Sequence, residues 1–283
     1  MLKQRVITAL VMLAILLPAV FYPTPNAFIA VALVLIAAGA WEWGKLNQCS
    51  QIGSLYLGLV CAIVCLLSWY VGLLFQSLAM VWVLAGGVWV VLGAWLLSGG
   101  VKAWTGVPQI LRLIGGIAAL WVAWIAVAQA RIVGINFLFS VLVLVWVADI
   151  SAYFAGRALG GRFFSRKLAP TISPGKTWEG ACGGLLGVIV CAFVWRAVDS
   201  SAPQGAASIY TRLANVHTAF MVLAVIFLAT MSVVGDLVES LFKRSAGVKD
   251  SSNLLPGHGG VLDRVDALLP ILPLAMMLAT PRI

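Results

Sequence analysis

The residues that could do chemistry in this chain are concentrated in one polar segment, from Ser240 to Asp266. The chain is 63% hydrophobic and has nine acidic residues, yet five of these nine lie between positions 236 and 266. A carboxylate at the centre of a membrane helix costs about 2.5–3.5 kcal/mol, so the clustering indicates a function. Carboxylates beside cations are typical of a site for metal and phosphate. The charged residues of the region are Asp236, Glu239, Lys243, Arg244, Lys249, Asp250, Asp263, Arg264 and Asp266.

The acidic residues of this segment are spaced as on helices. Asp236, Glu239 and Lys243 stand at i, i+3 and i+7, on one stripe of a helix. Asp263 and Asp266 repeat the i, i+3 spacing on the next predicted helix. Facing carboxylates on two helices would form an oxygen-rich pocket suited to Mg²⁺, at about 2.0–2.1 Å. The alternative is a solvated helix end that binds nothing.

The connector between these two helices combines cations with glycines. The Pro-Gly-His-Gly-Gly run at 256–260 lets the backbone approach a nucleotide closely, because glycine has no Cβ. His258 could bind a phosphate or a base, or it could hold the loop together. A zinc site is excluded because no second histidine or cysteine lies nearby. The cations that could offset phosphate charge are Lys243, Arg244, Lys249 and Arg264.

A second polar stretch begins at the end of the sixth predicted span. Asp149, Tyr153 and Gly156 can share one helical face. An acidic residue in a membrane helix is a functional candidate, unless Asp149 serves only as a structural partner for Arg157 or Lys176.

The loop at 160–180 contains the run Ser173-Pro-Gly-Lys-Thr-Trp-Glu-Gly180. Gly175-Lys176-Thr177 is similar to the end of a P-loop, but Pro170 replaces the first glycine and no strand precedes it, so that motif is excluded. A lysine and glycines at a helix N-terminus can still hold phosphate. Thr177 to Gly180 can equally cap the seventh helix.

The composition determines which elements position these residues. A mean hydropathy of +1.07 and 10% charged residues exclude an ordinary soluble domain and indicate an all-α, polytopic membrane protein. We expect one integral membrane domain, 1–283, with a transmembrane scaffold at 1–130 and a catalytic half at 131–283. The first span resembles a signal peptide but lacks a cleavage site, so an uncleaved helix is expected. About nine spans are predicted, near 6–22, 27–44, 54–75, 77–98, 113–130, 134–154, 180–198, 216–239 and 261–280.

The basic residues predict the orientation, because cytoplasmic loops are enriched in lysine and arginine. With a cytoplasmic N-terminus, thirteen basic residues fall inside and four outside, so we expect the polar site to face the cytoplasm from the plasma or inner membrane. The net charge of +9 then reflects anionic lipids and substrates, not nucleic acid. The five cysteines have neither zinc-finger nor disulfide spacing. The inner set is Lys3, Arg5, Lys45, Lys102, Arg112, Arg157, Arg162, Arg166, Lys167, Lys176, Lys243, Arg244 and Lys249; the outer set is Arg131, Arg196, Arg212 and Arg282.

The polar segment also resembles the signature of a known family. The pattern Ser240-x2-Lys-Arg-x4-Lys-Asp-x-Ser-x3-Pro-Gly-His-Gly-Gly-x2-Asp-Arg-x-Asp266 is similar to that of the phosphatidate cytidylyltransferases, or CDP-diacylglycerol synthases. The Asp149 region and the run from Ser173 to Gly180 resemble the middle region of the same family. Gly175 departs from it, since a basic residue is expected there. The resemblance covers about 140–283.

The resemblance implies that the protein transfers CMP from CTP to phosphatidic acid in the membrane, giving CDP-diacylglycerol and pyrophosphate. It implies a requirement for Mg²⁺ held by Asp236 and Asp263, leaves room for a K⁺ ion beside it, and is compatible with a homodimer. A phosphatidate oxygen is already ionised, so cations and positioning suffice for the chemistry. The implied catalytic residues are Asp236, Asp263, Lys243, Arg244, Lys249, Asp250, Arg264 and Asp266. The implied substrate-binding residues are Asp149, Ser173, Lys176, Thr177, Glu179, Ser240, His258, Gly259 and Gly260.

Two other classes of protein could use such residues. A transporter for an anionic solute would need a central pathway between discontinuous helices, whereas the polar residues here gather at one face. A CTP-dependent polyprenol kinase would use the same nucleotide but attack its γ-phosphorus. The complete segment from Ser240 to Asp266 favours the cytidylyltransferase.

Overall fold

The regular elements of the protein are helices throughout the part of the chain that the structure describes. The structure is a computed structural model that describes residues 2–201 and 205–280. Extended pairing there is limited to two isolated bridges, Ala169–Ser173 and Leu255–Gly259. The all-α prediction is therefore confirmed. The helices are α1 Leu2–Phe21, α2 Asn26–Leu46, α3 Gln51–Tyr70, α4 Ala79–Thr105, α5 Gln109–Val133, α6 Ile135–Leu159, α7 Trp178–Ser201, α8 Ile209–Val216, α9 Thr218–Ser245, α10 Leu262–Val265 and α11 Leu268–Ala279, with a 3-10 turn at Leu73–Phe75.

Eight of these helices, α1 to α7 and α9, are long and apolar enough to cross a membrane. This confirms the prediction of a polytopic membrane protein, with eight helices of spanning length. The ninth predicted span, 261–280, is divided between the four-residue α10 and the twelve-residue α11. At 1.5 Å per residue α11 is about 18 Å long, well short of the roughly 30 Å of a bilayer core.

The division of the last span has a local cause. Pro270 has no N–H to donate to the carbonyl of Asp266, so a continuous helix loses that hydrogen bond. The helix α11 is apolar because protein surrounds it: Ile271 and Leu274 are fully buried in the bundle. An average of hydropathy does not distinguish such a buried helix from a lipid-exposed span.

Small residues bring α6 and α7 into backbone contact. A Cβ added at Gly180 or Gly184 would lie 2.9 Å from the carbonyl oxygen of Ala152 or Ala148, respectively. This four-residue spacing of glycines lets membrane helices approach closely. The contact places Asp149 of α6 near the start of α7 and the loop that precedes it.

The helix α9 packs against α4, α7, α8 and α11, and it carries the first acidic stripe into the site. A Cβ at Gly235 would lie 2.7 Å from the carbonyl oxygen of Asp266 and 2.8 Å from Cγ of Pro270. The turn between α10 and α11 therefore sits directly on α9, beside Asp236.

The start of α1 and the loop after α9 lie at the same end of the bundle. The Thr8 hydroxyl donates to the carbonyl of Pro256 at 2.9 Å, and Arg5 lies against Gly257. Eight helices of spanning length separate these two segments, and an even number of crossings returns the chain to the side of the membrane where it started. Arg282, one of the four basic residues predicted to lie outside, falls beyond the described residues.

Candidate active site

A cavity of about 430 Å³ lies between α6, α7, α9 and the loop at 160–177. Lys176 and Asp236 form an ion pair on its wall, with 26% and 31% of their side chains exposed. Asp149 and Thr177 line the same cavity. The run from Ser173 to Gly180 and the acidic stripe that begins at Asp236, which are distant in sequence, are therefore brought together here.

Among the described residues, Asp149 pairs with neither Arg157 nor Lys176, the two structural partners considered from the sequence. Within residues 2–201 and 205–280, Lys176 pairs with Asp236, and no cation pairs with Asp149. Arg157, the other partner considered, donates to the Tyr153 hydroxyl at 3.2 Å. An unpaired carboxylate that faces a cavity next to a lysine is available to a ligand.

The loop that carries Lys176 is held by Glu179 at the start of α7. One carboxylate oxygen, Oε1, accepts the backbone N–H groups of Gly161, Phe163 and Phe164 at 3.0–3.1 Å. Glu179 is only 5% exposed and does not line the cavity. The predicted substrate-binding residue thus acts on the loop backbone in this structure.

Thr177 and Ser173 complete the local structure around Lys176. The Thr177 hydroxyl accepts the N–H of Gly180 at 3.1 Å, which is the cap that the sequence allowed. Ser173 closes a turn through its backbone, donating to Ala169 and accepting from Lys176. Of the two, only Thr177 lines the cavity.

A second charged cluster is centred on Lys243 of α9. Its ammonium group lies between Glu239, with which it forms an ion pair, and Oδ1 of Asp263 at 2.6 Å. The other oxygen of Asp263 accepts the Ser251 N–H at 2.9 Å, the Ser251 hydroxyl at 2.9 Å and the Gly260 N–H at 2.7 Å. Burial opposes the charge of Asp263, but these hydrogen bonds lower its pKa overall.

The space beside Gly259 and Gly260 is occupied by the protein's own side chains. Gly259 has a φ of +82°, and a Cβ there would lie 2.7 Å from Oδ2 of Asp263. A Cβ at Gly260 would lie 2.0 Å from the Ser251 hydroxyl and 2.5 Å from Glu42. The space that was expected to admit a nucleotide is filled by these groups.

Asp266 lies between the two clusters. Its backbone packs on Gly235, and its Oδ1 accepts the N–H of Ala267 at 2.7 Å. Burial and the negative charge of Asp236 raise the pKa of Asp266 above its usual range. The contact with Gly235 places the backbone of Asp266 beside the residue that precedes Asp236.

The predicted cations of the connector tie loops together at the rim of the site. Arg244 donates to the carbonyls of Ile172 and Val248, each at 3.3 Å, and so joins α9 to the loop before α7. Arg264 donates to the carbonyl of His258 at 3.0 Å and is otherwise exposed.

The other predicted residues of the segment are distributed around the two clusters. Ser240 donates weakly to Asp236, at 3.4 Å. Lys249 and Asp250 are exposed. Nδ1 of His258 is buried without a hydrogen-bond partner among the described residues, so its imidazole has an unused polar atom.

Sequence reasoning assigned no role to Glu42 of α2, which the structure places in the second cluster. It is fully buried and accepts hydrogen bonds from the loop that precedes α10. The available signal was an acidic residue inside an apolar span, which is costly unless it is satisfied.

The donor set fits a hard cation such as Mg²⁺. In the residues that the structure describes, no three acidic, histidine or cysteine side chains form a ready-made metal group. Carboxylate oxygens, the preferred ligands of Mg²⁺, do face the cavity from Asp149 and Asp236, with Asp266 beside them. Asp263 lies outside the lining of this cavity and pairs with Lys243 through Oδ1.

The chain matches the cytidylyltransferase family over residues 3–280. It is 37% identical to the phosphatidate cytidylyltransferase of Haemophilus influenzae over 298 aligned residues, which cover 96% of each protein. It is also 37% identical to that of Pseudomonas aeruginosa over 282 residues, or 96% of this chain and 95% of the relative. The protein of the same name from Brucella abortus is 48% identical over 140 residues, covering 48% of this chain and 42% of the relative.

Proposed function

This chain belongs to the cytidylyltransferase family, and we propose that it transfers the CMP group of CTP to phosphatidate, forming CDP-diacylglycerol and pyrophosphate. The structural observation that carries the proposal is the cavity in which Lys176 pairs with Asp236 beside Asp149. Two polyanions meet in this reaction, and the cavity offers both a cation for phosphate and carboxylates for a metal.

The transfer needs positioning more than acid–base chemistry. A phosphatidate oxygen attacks the α-phosphorus of CTP, the new P–O bond forms, and the bond to the β-phosphate breaks so that pyrophosphate leaves. The attacking oxygen is already ionised, so no side chain has to remove a proton. Lys176 is placed to hold a phosphate of one substrate in the cavity. The negative charge of the remaining phosphates would be offset by Lys243, Arg244, Lys249 and Arg264.

We assign a bound Mg²⁺ to Asp236 and Asp263, the two carboxylates that now hold lysines. The ion would neutralise charge on the phosphates of CTP as pyrophosphate leaves. Two further carboxylates could support it: Asp149, which lines the cavity with Asp236, and Asp266, whose backbone packs on Gly235. A K⁺ ion beside Mg²⁺ and a homodimer stay predictions of the family resemblance.

The lipid is proposed to enter sideways. Exposing each acyl CH₂ to water costs about 0.8 kcal/mol, so phosphatidate reacts without leaving the bilayer. On α6, Ile150, Tyr153 and Phe154 are exposed apolar side chains next to Asp149. The cavity lies between α6, α7 and α9, so the lateral opening is proposed beside these three helices.

The protein is proposed to lie in the plasma or inner membrane, with its site facing the cytoplasm, where CTP is available. The support is the excess of basic residues at the end of the bundle that carries Arg5, Lys176 and Lys243.

Purified protein supplied with phosphatidate and with CTP labelled separately at its α- and γ-phosphates tests the reaction. The α-label should enter the lipid and the γ-label should appear in pyrophosphate, both only when phosphatidate is present. Transfer of the γ-label to a lipid would identify a kinase instead. Uptake of an anion by proteoliposomes without either transfer would identify a transporter.

A further inference from the structure

We propose that Glu42, on the second helix, is a positioning residue that fixes Asp263 and Lys243 for the transfer. The inference rests on the proposed function, and it concerns a part of the chain, 1–130, that carries none of the motif residues. Its basis is a hydrogen-bond chain that starts on α2 and ends on α9.

Glu42 has all its acceptor capacity directed at one loop. Its Oε1 accepts the Ser252 hydroxyl at 2.6 Å and the Val261 N–H at 2.9 Å. Its Oε2 accepts the Leu262 N–H at 2.8 Å and the Ser251 hydroxyl at 3.2 Å. These four donors lie on both sides of the 256–260 run, so one side chain clamps the two ends of the loop.

Within residues 2–201 and 205–280, no cation pairs with Glu42. Glu42 is 0% exposed, and none of the ion pairs among the described residues includes it. A buried carboxylate without a counter-ion depends on hydrogen bonds to offset its lost hydration. The loop cannot move away without stranding that charge, so the clamp makes one loop conformation strongly preferred.

The clamp is connected to the charged cluster through Ser251. The hydroxyl of Ser251 is within hydrogen-bond distance of both Glu42 and Asp263, at 3.2 and 2.9 Å, and its single proton can serve one of them at a time. The Gly260 N–H, between the clamped ends, donates to Asp263 as well. Asp263 in turn holds Lys243. Displacement of the loop would therefore move Asp263 and release Lys243.

The chain supplies a matched control in Asp199 at the other end of α7. Its carboxylate accepts hydrogen bonds from Asn136, from Thr211 and from both the N–H and the hydroxyl of Ser208. It lies about 30 Å along α7 from Glu179, because twenty residues separate them. Asp199→Asn thus neutralises an equally bonded carboxylate far from the site.

The experiment compares Glu42→Gln, Asp199→Asn and the wild-type enzyme in detergent with CTP and phosphatidate. Per folded molecule, Glu42→Gln should lower kcat about tenfold or more, with KM for CTP changed less than about threefold, because misplacing reacting groups affects the transition state most. Asp199→Asn should lower thermal stability by less, because Asp199 is only partly buried, and should leave kcat within about twofold. Amide hydrogen exchange at 251–262 should rise in Glu42→Gln only.

The second variant, Ser251→Ala, removes the connecting hydroxyl and keeps the other three bonds to Glu42. It should lower kcat without raising exchange at Val261 and Leu262, and adding it to Glu42→Gln should cost little more. Equal kcat values in Glu42→Gln and Asp199→Asn would overturn the inference, as would full activity of Ser251→Ala if Glu42→Gln does not fold. An inactive wild-type enzyme would instead reject the proposed function, and the exchange data would still decide whether Glu42 holds the loop.

Discussion

Lys176 and Asp236 form an ion pair on the wall of the cavity, joining the loop before α7 to the first residue of the acidic stripe on α9. Both side chains are partly exposed, and pairs of this kind contribute only about 0–1 kcal/mol to stability. The pair therefore contributes little to the stability of the fold. It marks a binding site, in which a substrate phosphate can pair with Lys176 and a metal ion with Asp236.

Replacement of Lys176 or Asp149 by alanine should lower specific activity much more than stability. Lys176→Ala removes the cation that pairs with Asp236 in the cavity, and Asp149→Ala removes a cavity carboxylate that forms no ion pair among the described residues. We expect at least a tenfold loss of α-label transfer in each, with melting temperatures within a few degrees of wild type. Variants that lose only yield or thermal stability, at full specific activity, would make these residues structural.

Asp236→Asn and Asp263→Asn should each lose most turnover while remaining folded, on the order of a hundredfold, because an amide is a poor ligand for Mg²⁺. Asp263→Asn should also lose about 1–3 kcal/mol of stability, because its new NH₂ group would face a donor, either Lys243 or the pair Ser251 and Gly260. The measurements are transfer rates over a Mg²⁺ titration and thermal unfolding. Near-normal rates for either variant would reject the metal assignment for that residue.

Gly260→Ala should inactivate and destabilise the protein. Its Cβ would lie 2.0 Å from the Ser251 hydroxyl and 2.5 Å from Glu42, so the loop has to shift. Gly115 on α5 is the matched control, because an added Cβ meets nothing within 4 Å there. Activity and melting temperature of the two alanine variants should differ clearly, by more than about 1 kcal/mol in stability. Similar behaviour of both would mean that the loop accommodates a side chain and is not closely packed.

The orientation can be tested with single cysteines in a background without the five native ones. A cysteine at Asp250 should react with an impermeant reagent only from the cytoplasmic side, and one at Ser200, near the other end of α7, only from outside. Both positions are exposed in the structure. Labelling of position 250 from outside the cell would reverse the proposed orientation of the site.

The features that the sequence predicted correctly are those that depend on neighbouring residues in the chain. Spans and the polar segment depend on composition over about twenty residues, so the helical membrane fold was predictable. The pairing of Asp236 with Lys176 depends on glycine contacts between α6 and α7 and on the packing of α9, which one sequence does not reveal. Glu42 was visible as a costly acidic residue, but its partners lie more than two hundred positions away. The predicted span at 261–280 was longer than the buried α11, because burial in protein and burial in lipid give the same hydropathy.

Recruitment of the anionic lipid should depend on Arg264 more than on other exposed cations at the same end of the bundle. Arg264 is exposed at the rim of the second cluster, where it holds the His258 carbonyl at 3.0 Å, and it can reach the combined negative charge of CTP and phosphatidate. Lys102 is also exposed, near the end of α4 that the charge pattern places on the same side of the membrane, but it belongs to no motif. A neutral residue at either position removes one positive charge from that membrane surface, worth about 1 kcal/mol in attraction to anionic lipid. Arg264→Gln should therefore lower turnover well beyond Lys102→Gln when both are assayed in mixed micelles at several phosphatidate fractions. If both variants need the same increase in phosphatidate to recover full rate, then general surface charge recruits the lipid and Arg264 has no special place in the site.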